Sequence, residues 1–222
     1  MPSYAAFLGH QPLISTAELS AVLPDLRKER FLKGNILIFQ TQTELTQAQL
    51  HLLGGTILLA KQLTTNAVTP ADSPQLLSTE LSKVKGKATF ALRSSGLPPR
   101  LIRDLYRDCK AVLKKQGRPS RYVGNERQPA AAALLKDGGL LDPKCGCELV
   151  LLADENFLWV GRTIAAQDID RYTKRDMGKP VRDTRAGLLP PKLAQILLNF
   201  GAWLVAAGKK SPAGHQKSLK SF

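Results

Sequence analysis

The order of elements in the first 65 residues leaves few folds open to this chain. Tyr4–Leu8 is a short apolar run with strand character. Ser15 has the chemistry of a helix N-cap, and Ala17-Glu18-Leu19 opens a short helix that ends near Pro24. Arg27–Leu32 and Asn35–Gln40 flank Gly34, which predicts a hairpin. Leu45–Leu53 reads as a helix closed by Gly54-Gly55, and Thr56–Leu63 as a further strand. Strand, helix, strand, strand, helix, strand is the order of the ferredoxin-like split unit, an antiparallel sheet with two helices on one face. No site is legible in it. His10 and His51 stand alone, and a lone histidine is more often a packing or surface residue than a ligand.

A second unit follows. Thr64–Ser73 is polar, with Pro70 and Pro74 beside it, and reads as a linker. Leu76–Val84 reads as helical and Lys87–Arg93 as a strand. Ser94-Ser95-Gly96-Leu97-Pro98-Pro99 then forms a turn whose last proline is placed to start a helix. That helix, from Pro99 to about Gln116, is the strongest in the chain, and Gly117 stops it. Arg121–Val123, Glu148–Leu152 and Asn156–Ile164 are expected strands, the last two joined through the turn at Asp154-Glu155-Asn156. Residues 167–187 are polar and charged and read as a connecting arm. Pro190-Pro191 opens a last amphipathic helix to about Ala206, and residues 208–222 form a basic, low-complexity tail expected to be disordered.

Charge separates the two units. Residues 1–80 hold five Lys/Arg and six Asp/Glu, a net of −1, while the remainder holds 27 basic and 12 acidic residues, a net of +15. Such an asymmetry points to a polyanion partner for the second unit. No apolar run reaches the ~18 residues a membrane span needs. Three cysteines, odd in number and sparse, fit a reducing cytoplasm better than a disulfide framework.

The helix after Pro99 has two faces. Leu101, Ile102, Leu105, Tyr106, Cys109, Val112 and Leu113 share one, and Arg100, Arg103, Arg107, Lys110 and Lys114 recur at spacings of three and four on the other. Asp104 and Asp108 offset part of that charge. An ordinary solvated face is the plain reading; a phosphate-tracking stripe is the functional one. Arg93, Ser94 and Ser95 lie just before the helix, where hydroxyls and free backbone N–H groups suit a phosphate. With Arg121 and Arg162 they complete the candidate RNA-contacting set. Cys145-Gly146-Cys147 supplies two possible metal ligands and no further pair, so packing explains it better than zinc. No nucleophile elbow, His-Glu-x-x-His or Walker loop occurs, and no residue is assigned a catalytic role.

Two blocks go further. Val160-Gly161-Arg162-Thr163-Ile164-Ala165-Ala166-Gln167-Asp168 with Tyr172-Thr173-Lys174-Arg175-Asp176, and Arg182-Asp183-Thr184-Arg185-Ala186-Gly187-Leu188-Leu189-Pro190-Pro191-Lys192-Leu193-Ala194, resemble the region after the THUMP domain in tRNA guanosine methyltransferases of the position-ten guanine family. Leu92–Tyr106 is similar to that family's THUMP region. The resemblance covers the chain to about residue 200. It implies a ferredoxin-like domain (1–66), a THUMP RNA-binding domain (74–166), a linker (167–187), and residues 188–207 as the first helix of a Rossmann-like methyltransferase domain that uses S-adenosylmethionine. It also implies tRNA, held at its acceptor end, as partner, and Leu188, Leu189, Pro190, Pro191 and Lys192 as one wall of the cofactor pocket.

The sequence departs from that family in what should follow. An acidic, Gly-rich cofactor loop and an Asp-Pro-Pro-Tyr-like motif hold cofactor and target in the family, and neither occurs here. The expectation is a truncated, frameshifted or split product, inactive alone and awaiting a second chain. The alternative is a stand-alone RNA-binding or protein-docking module. Leu193, Ile196, Leu197, Phe200, Trp203 and Leu204 are expected to form an apolar face that the missing sheet would have covered, and its exposure predicts aggregation or association.

Overall fold

A computed structural model describes residues 1–125, 127, 129–178 and 188–210. The second half of the expected arm (179–187), with Arg182–Gly187 of the resembling block, lies outside the described residues, as does the tail from residue 211.

The first half follows the order read from the sequence. It comprises β1 (Ser3–Leu8), α1 (Pro12–Val22), β2 (Arg27–Leu32), β3 (Ile36–Gln40), α2 (Gln47–His51) and β4 (Thr56–Gln62). Its strands lie in the order β2-β3-β1-β4 and pair antiparallel throughout. The largest difference in boundaries is at the start of α1. α1 starts at Pro12, a turn before Ser15, because proline at the first helical position lacks the N–H that would be orphaned there. Ser15 is buried inside the helix and donates to the Gln11 carbonyl at 2.9 Å instead of capping.

The second half holds α3 (Ser73–Glu80), β5 (Ala88–Ser95), α4 (Pro99–Lys115), β6 (Ser120–Tyr122), α5 (Ala132–Asp137), β7 (Gly146–Asp154), β8 (Phe157–Ala166), α6 (Ile169–Met177) and α7 (Pro191–Lys210). β5 runs parallel to β6 and to β7, and β7 is antiparallel to β8. β5 continues through Ser94 and Ser95, which pair with Leu151 and Leu152, so these serines end a strand where a turn was expected. α6 falls where the sequence read as a connecting arm. Asp168 caps it by accepting from Arg171 N at 3.0 Å, and Tyr172 is its one buried residue in a short run otherwise dominated by polar and charged side chains. α5, also unforeseen, is six residues long and buries only Leu135.

β4 pairs with β8, from Leu58↔Ala166 to Gln62↔Gly161, so the two halves form one eight-stranded sheet in the order β2-β3-β1-β4-β8-β7-β5-β6. Alternation along the strands fills two faces. Tyr4, Ala6 and Leu8 of β1 meet Leu19 of α1 and Leu50 of α2. Leu149 and Leu151 of β7 meet Leu77 of α3 with Ile102, Leu105 and Leu113 of α4. The opposite face is shared by both halves: Ala5, Ile38 and Leu58 pack with Val150, Leu152, Trp159, Leu135 and Leu140. Each such buried leucine contributes about 1.5–3 kcal/mol, so this common core ties the halves together.

The block Val160–Thr163 is central to that joint. A side chain at Gly161 would put its Cβ 2.3 Å from the Trp159 ring, so only glycine leaves the indole its place. Trp159 Nε1 then donates to Ser3 Oγ at 3.2 Å, across to β1. Among the described residues no helix is long and apolar enough to cross a membrane.

Candidate nucleic-acid interface

α4 buries Ile102, Leu105, Tyr106, Cys109 and Leu113 and leaves Arg100, Arg103, Arg107, Lys110 and Lys114 exposed, as its periodicity predicts. Pro98 and Pro99 set its start. At 1.5 Å per residue the five cations span about 21 Å along one ridge. They are not equally available. The Arg107 guanidinium lies 3.0 Å from Asp104 and 3.7 Å from Asp108. Lys110 Nζ sits 5.9 Å above the Tyr122 ring, which itself packs 4.8 Å from Tyr106. Arg121, exposed on β6, lies on the sheet's outer strand beside this helix.

Two of the expected contacts turn inward. Arg93 reaches the fully buried Glu148: its Nη2 is 3.0 Å from Oε1 and its Nε donates to Oε2 at 3.1 Å. Nη2 also donates to the Ala130 carbonyl at 2.6 Å, and the guanidinium lies 5.5 Å from the Phe7 ring. Burial raises the Glu148 carboxyl above its ordinary value, and Arg93 and Thr163 offset part of that rise. Arg162, its side chain 11 % exposed, donates from Nη1 to Glu80 at 2.9 Å. Both arginines therefore hold the fold, and their charge is largely spent on internal carboxylates. Ser95 Oγ donates to the Lys33 carbonyl at 3.3 Å and Ser94 is half-buried at the strand end, so neither is an open phosphate cradle.

The segment 188–192 was expected to wall a cofactor pocket. Leu188 and Leu189 are exposed, and Pro190 accepts from Ala194 N at 3.0 Å as α7 begins. Lys192 Nζ donates to Gln167 Oε1 at 2.6 Å and lies 5.3 Å from the Tyr172 ring. Burial lowers its pKa. Its ammonium is thus directed at the protein, and what remains is a single apolar wall. These five residues do not fit S-adenosylmethionine by themselves.

α7 docks on α1 and on the loop before β4. Gly54 allows it: a Cβ there would lie 2.2 Å from the Lys192 carbonyl. Asn199 Nδ2 donates to Glu18 Oε1 at 2.6 Å and to the Leu52 carbonyl at 2.8 Å, and Ile196 is buried in the contact. The other side of α7 is open, with Leu197, Leu198, Leu204 and Val205 all more than half exposed. Phe200 is half-buried, Leu193 and Trp203 are exposed, and Ile196 belongs to the docked side.

Elsewhere a concavity of about 290 Å³ lies between α2, α5 and the start of α6, lined by Gln47, His51, Lys136, Leu141, Asp168 and Ile169. Its polar groups serve one another: Lys136 pairs with Asp168 at 3.4 Å, and Gln47 donates to and accepts from the Ala166 backbone. Cys147 is buried, with its thiol pushed up to about 12 by desolvation, and Cys145 donates to Asp142 at 3.5 Å. Among the described residues no group of His, Cys, Asp and Glu could hold a metal.

No protein-family model matches the chain, and no curated protein matches it in sequence. Among solved structures it is similar to TrmN from Thermus thermophilus, with a TM-score of 0.53 and 15% identity over 91% of this chain and 55% of that one. Looser likenesses are to PH1313 from Pyrococcus horikoshii Ot3 (TM-score 0.43, 7% identity, 75% of this chain and 56% of that one) and to a 4-thiouridine synthetase in complex with RNA and bound ATP (TM-score 0.41, 10% identity, 73% and 41%). The likeness to TrmN is one of fold. The chain spans about half the length of that protein.

Proposed function

We propose that this chain is the tRNA-binding portion of an S-adenosylmethionine-dependent tRNA guanine amino-methyltransferase, with residues 74–166 as a THUMP domain. The observation that carries the reading is the ridge of five exposed cations on α4. The net charge of +14 and the fold shared with TrmN support it, as do the two sequence blocks around Gly161 and Pro190. A ridge of this kind neutralises phosphates and positions the RNA without reading its sequence.

On this reading the chain grips the acceptor end of the tRNA in the cytoplasm. Methyl transfer needs an acidic cofactor loop and an Asp-Pro-Pro-Tyr-like motif that the sequence lacks, so the chain alone is expected to be inactive. The part of such an enzyme that carries those motifs would cover the open side of α7.

The test is retention of a tRNA transcript on filters over a salt series. Replacing Arg100, Lys110 and Lys114 with Gln should weaken binding alike for all tRNAs and flatten the log–log salt slope by about 0.7–0.9 per lost phosphate contact. Binding that is absent at low salt, or indifferent to salt, sinks the reading.

A further inference from the structure

The first 80 residues are nearly neutral in sum, and the fold gathers their cations. Four of the five, Arg27, Lys28, Arg30 and Lys33, lie on β2 or at its hairpin tip, and all four are exposed. β2 is the outer strand of the sheet, so no neighbouring strand covers it. Its one acid, Glu29, accepts from Ser3 Oγ at 2.8 Å and from Gln40 Nε2 at 2.7 Å. Arg30 lies over the Phe157 ring at 4.4 Å and reaches Asp154 at 3.4 Å. Among the described residues no ion pair engages Arg27, Lys28 or Lys33.

A charged outer strand has a plain structural use, which is to stop another strand adding to the sheet. Charge of either sign achieves that. It does not explain why the acid is tied up while the cations are left to solvent. Nor does it explain where the hairpin tip sits. Ser95 Oγ donates to the Lys33 carbonyl at 3.3 Å, and Ser95 is five residues from Arg100 in the first turn of α4. Five extended residues reach at most about 18 Å. The tip of the hairpin and the start of the α4 ridge therefore flank one another across the end of β5, within the span of a few phosphates.

We propose that the β2–β3 hairpin is a second backbone-contacting element, which joins α4 in one cationic surface for the phosphates of RNA. It rests on the RNA-binding reading above. Lys28 and Lys33 carry the unpaired charge, and Arg30, stacked on Phe157, is the residue held in place. A surface that spans both halves of the sheet would fix the angle of the RNA as well as hold it.

The experiment uses the full chain, a tRNA transcript and filter retention from about 50 to 200 mM salt. Lys28→Gln/Lys33→Gln is compared with Arg100→Gln/Lys110→Gln/Lys114→Gln and with Lys174→Gln. Lys174 lies on α6, beyond the end of β8 opposite Phe157, about 30 Å of strand away. The hairpin variant should lose on the order of fivefold in affinity per contact and flatten the slope by about 0.7–0.9 for each. Lys174→Gln should bind as the parent does. If the hairpin variant matches the parent while the α4 variant weakens, this inference is overturned and the RNA reading stands. If Lys174→Gln, one cation, weakens binding as much as the hairpin pair, the effect is one of total charge and the surface is wrongly placed. If neither the hairpin nor the α4 variant differs from the parent, both readings fail.

Discussion

Glu18 and Asn199, 181 residues apart, meet in a 2.6 Å hydrogen bond inside the protein. The Glu18 carboxylate also accepts from Gly54 N and Gly55 N, each at 2.8 Å, so one buried side chain on α1 fixes both the loop before β4 and the last helix. Burial raises the Glu18 carboxyl, and the three donors offset this only in part. The folded state therefore binds its proton more tightly than the unfolded chain does. Stability from this group is greatest at low pH and declines as pH rises from about 4.5 through the raised folded value. Urea midpoints across that window should show the parent losing ground to Glu18→Gln as pH rises. A constant difference would mean that Glu18 does not titrate differently on folding. Asn199→Ala should cost about 1.5–3 kcal/mol, the range for a hydrogen bond to a charged group, and should raise hydrogen exchange in α7 before other helices.

Arg93 is expected to behave as a folding residue. Its removal leaves Glu148 buried and unpaired, which costs about 3–5 kcal/mol. Arg93→Gln should lower the urea midpoint accordingly, and Arg93→Met/Glu148→Leu should recover much of the loss, because an apolar pair has no charge to strand. A phosphate ligand would give the opposite pattern: intact stability with weakened RNA binding. Urea unfolding and filter retention on the same two variants separate these outcomes.

Tyr106 finishes a strand that the chain leaves short. β6 pairs with β5 only as far as Phe90↔Tyr122, and the Tyr106 hydroxyl serves the next stretch, accepting from Leu92 N at 3.1 Å and donating toward the Leu92 and Val123 carbonyls at 3.3 Å. Desolvation pushes its pKa up to about 12. Tyr106→Phe keeps the packing and strands the Leu92 N–H, at a cost of about 1–3 kcal/mol by thermal or urea unfolding. A neutral substitution would show that water reaches that N–H.

What the sequence disclosed and what it withheld divide along the range of the interactions. The split unit, the α4 stripe and the β7–β8 hairpin rest on periodicity and turn residues a few positions apart, and these were readable. The fate of a charge was not. Arg93 and Arg162 look like any basic residue until the fold brings Glu148 and Glu80 to them from 55 and 82 positions away. Gly54-Gly55 read as a helix stop, and their larger role, Gly54 in admitting α7 and Gly55 in letting Ser15 of α1 come close, needs the third dimension. α6 escaped notice because it is short and strongly polar, so its few apolar residues, Ile169, Tyr172 and Met177, lie within a run that reads as a charged arm. The cations of β2 were visible one by one, but a net charge near zero hid their alignment on one edge.

The acids of α4 offer the sharpest test of its ridge. Asp104 and Asp108 are partly exposed and hold Arg107 at 3.0 and 3.7 Å. Pairs exposed to this degree contribute about 0–1 kcal/mol to stability, so Asp104→Asn and Asp108→Asn should leave the melting temperature nearly unchanged. Their effect on RNA is larger in principle, since each carboxylate repels phosphate and occupies a guanidinium that could bind it. The double variant should therefore hold tRNA more tightly, by roughly fivefold for one phosphate gained, and its salt slope should steepen by about 0.7–0.9. Adding Arg107→Gln to the same variant should return slope and affinity to near the parent's. Tighter binding that survives loss of Arg107 would trace the gain to repulsion alone. Unchanged binding would place the phosphates away from this face of α4.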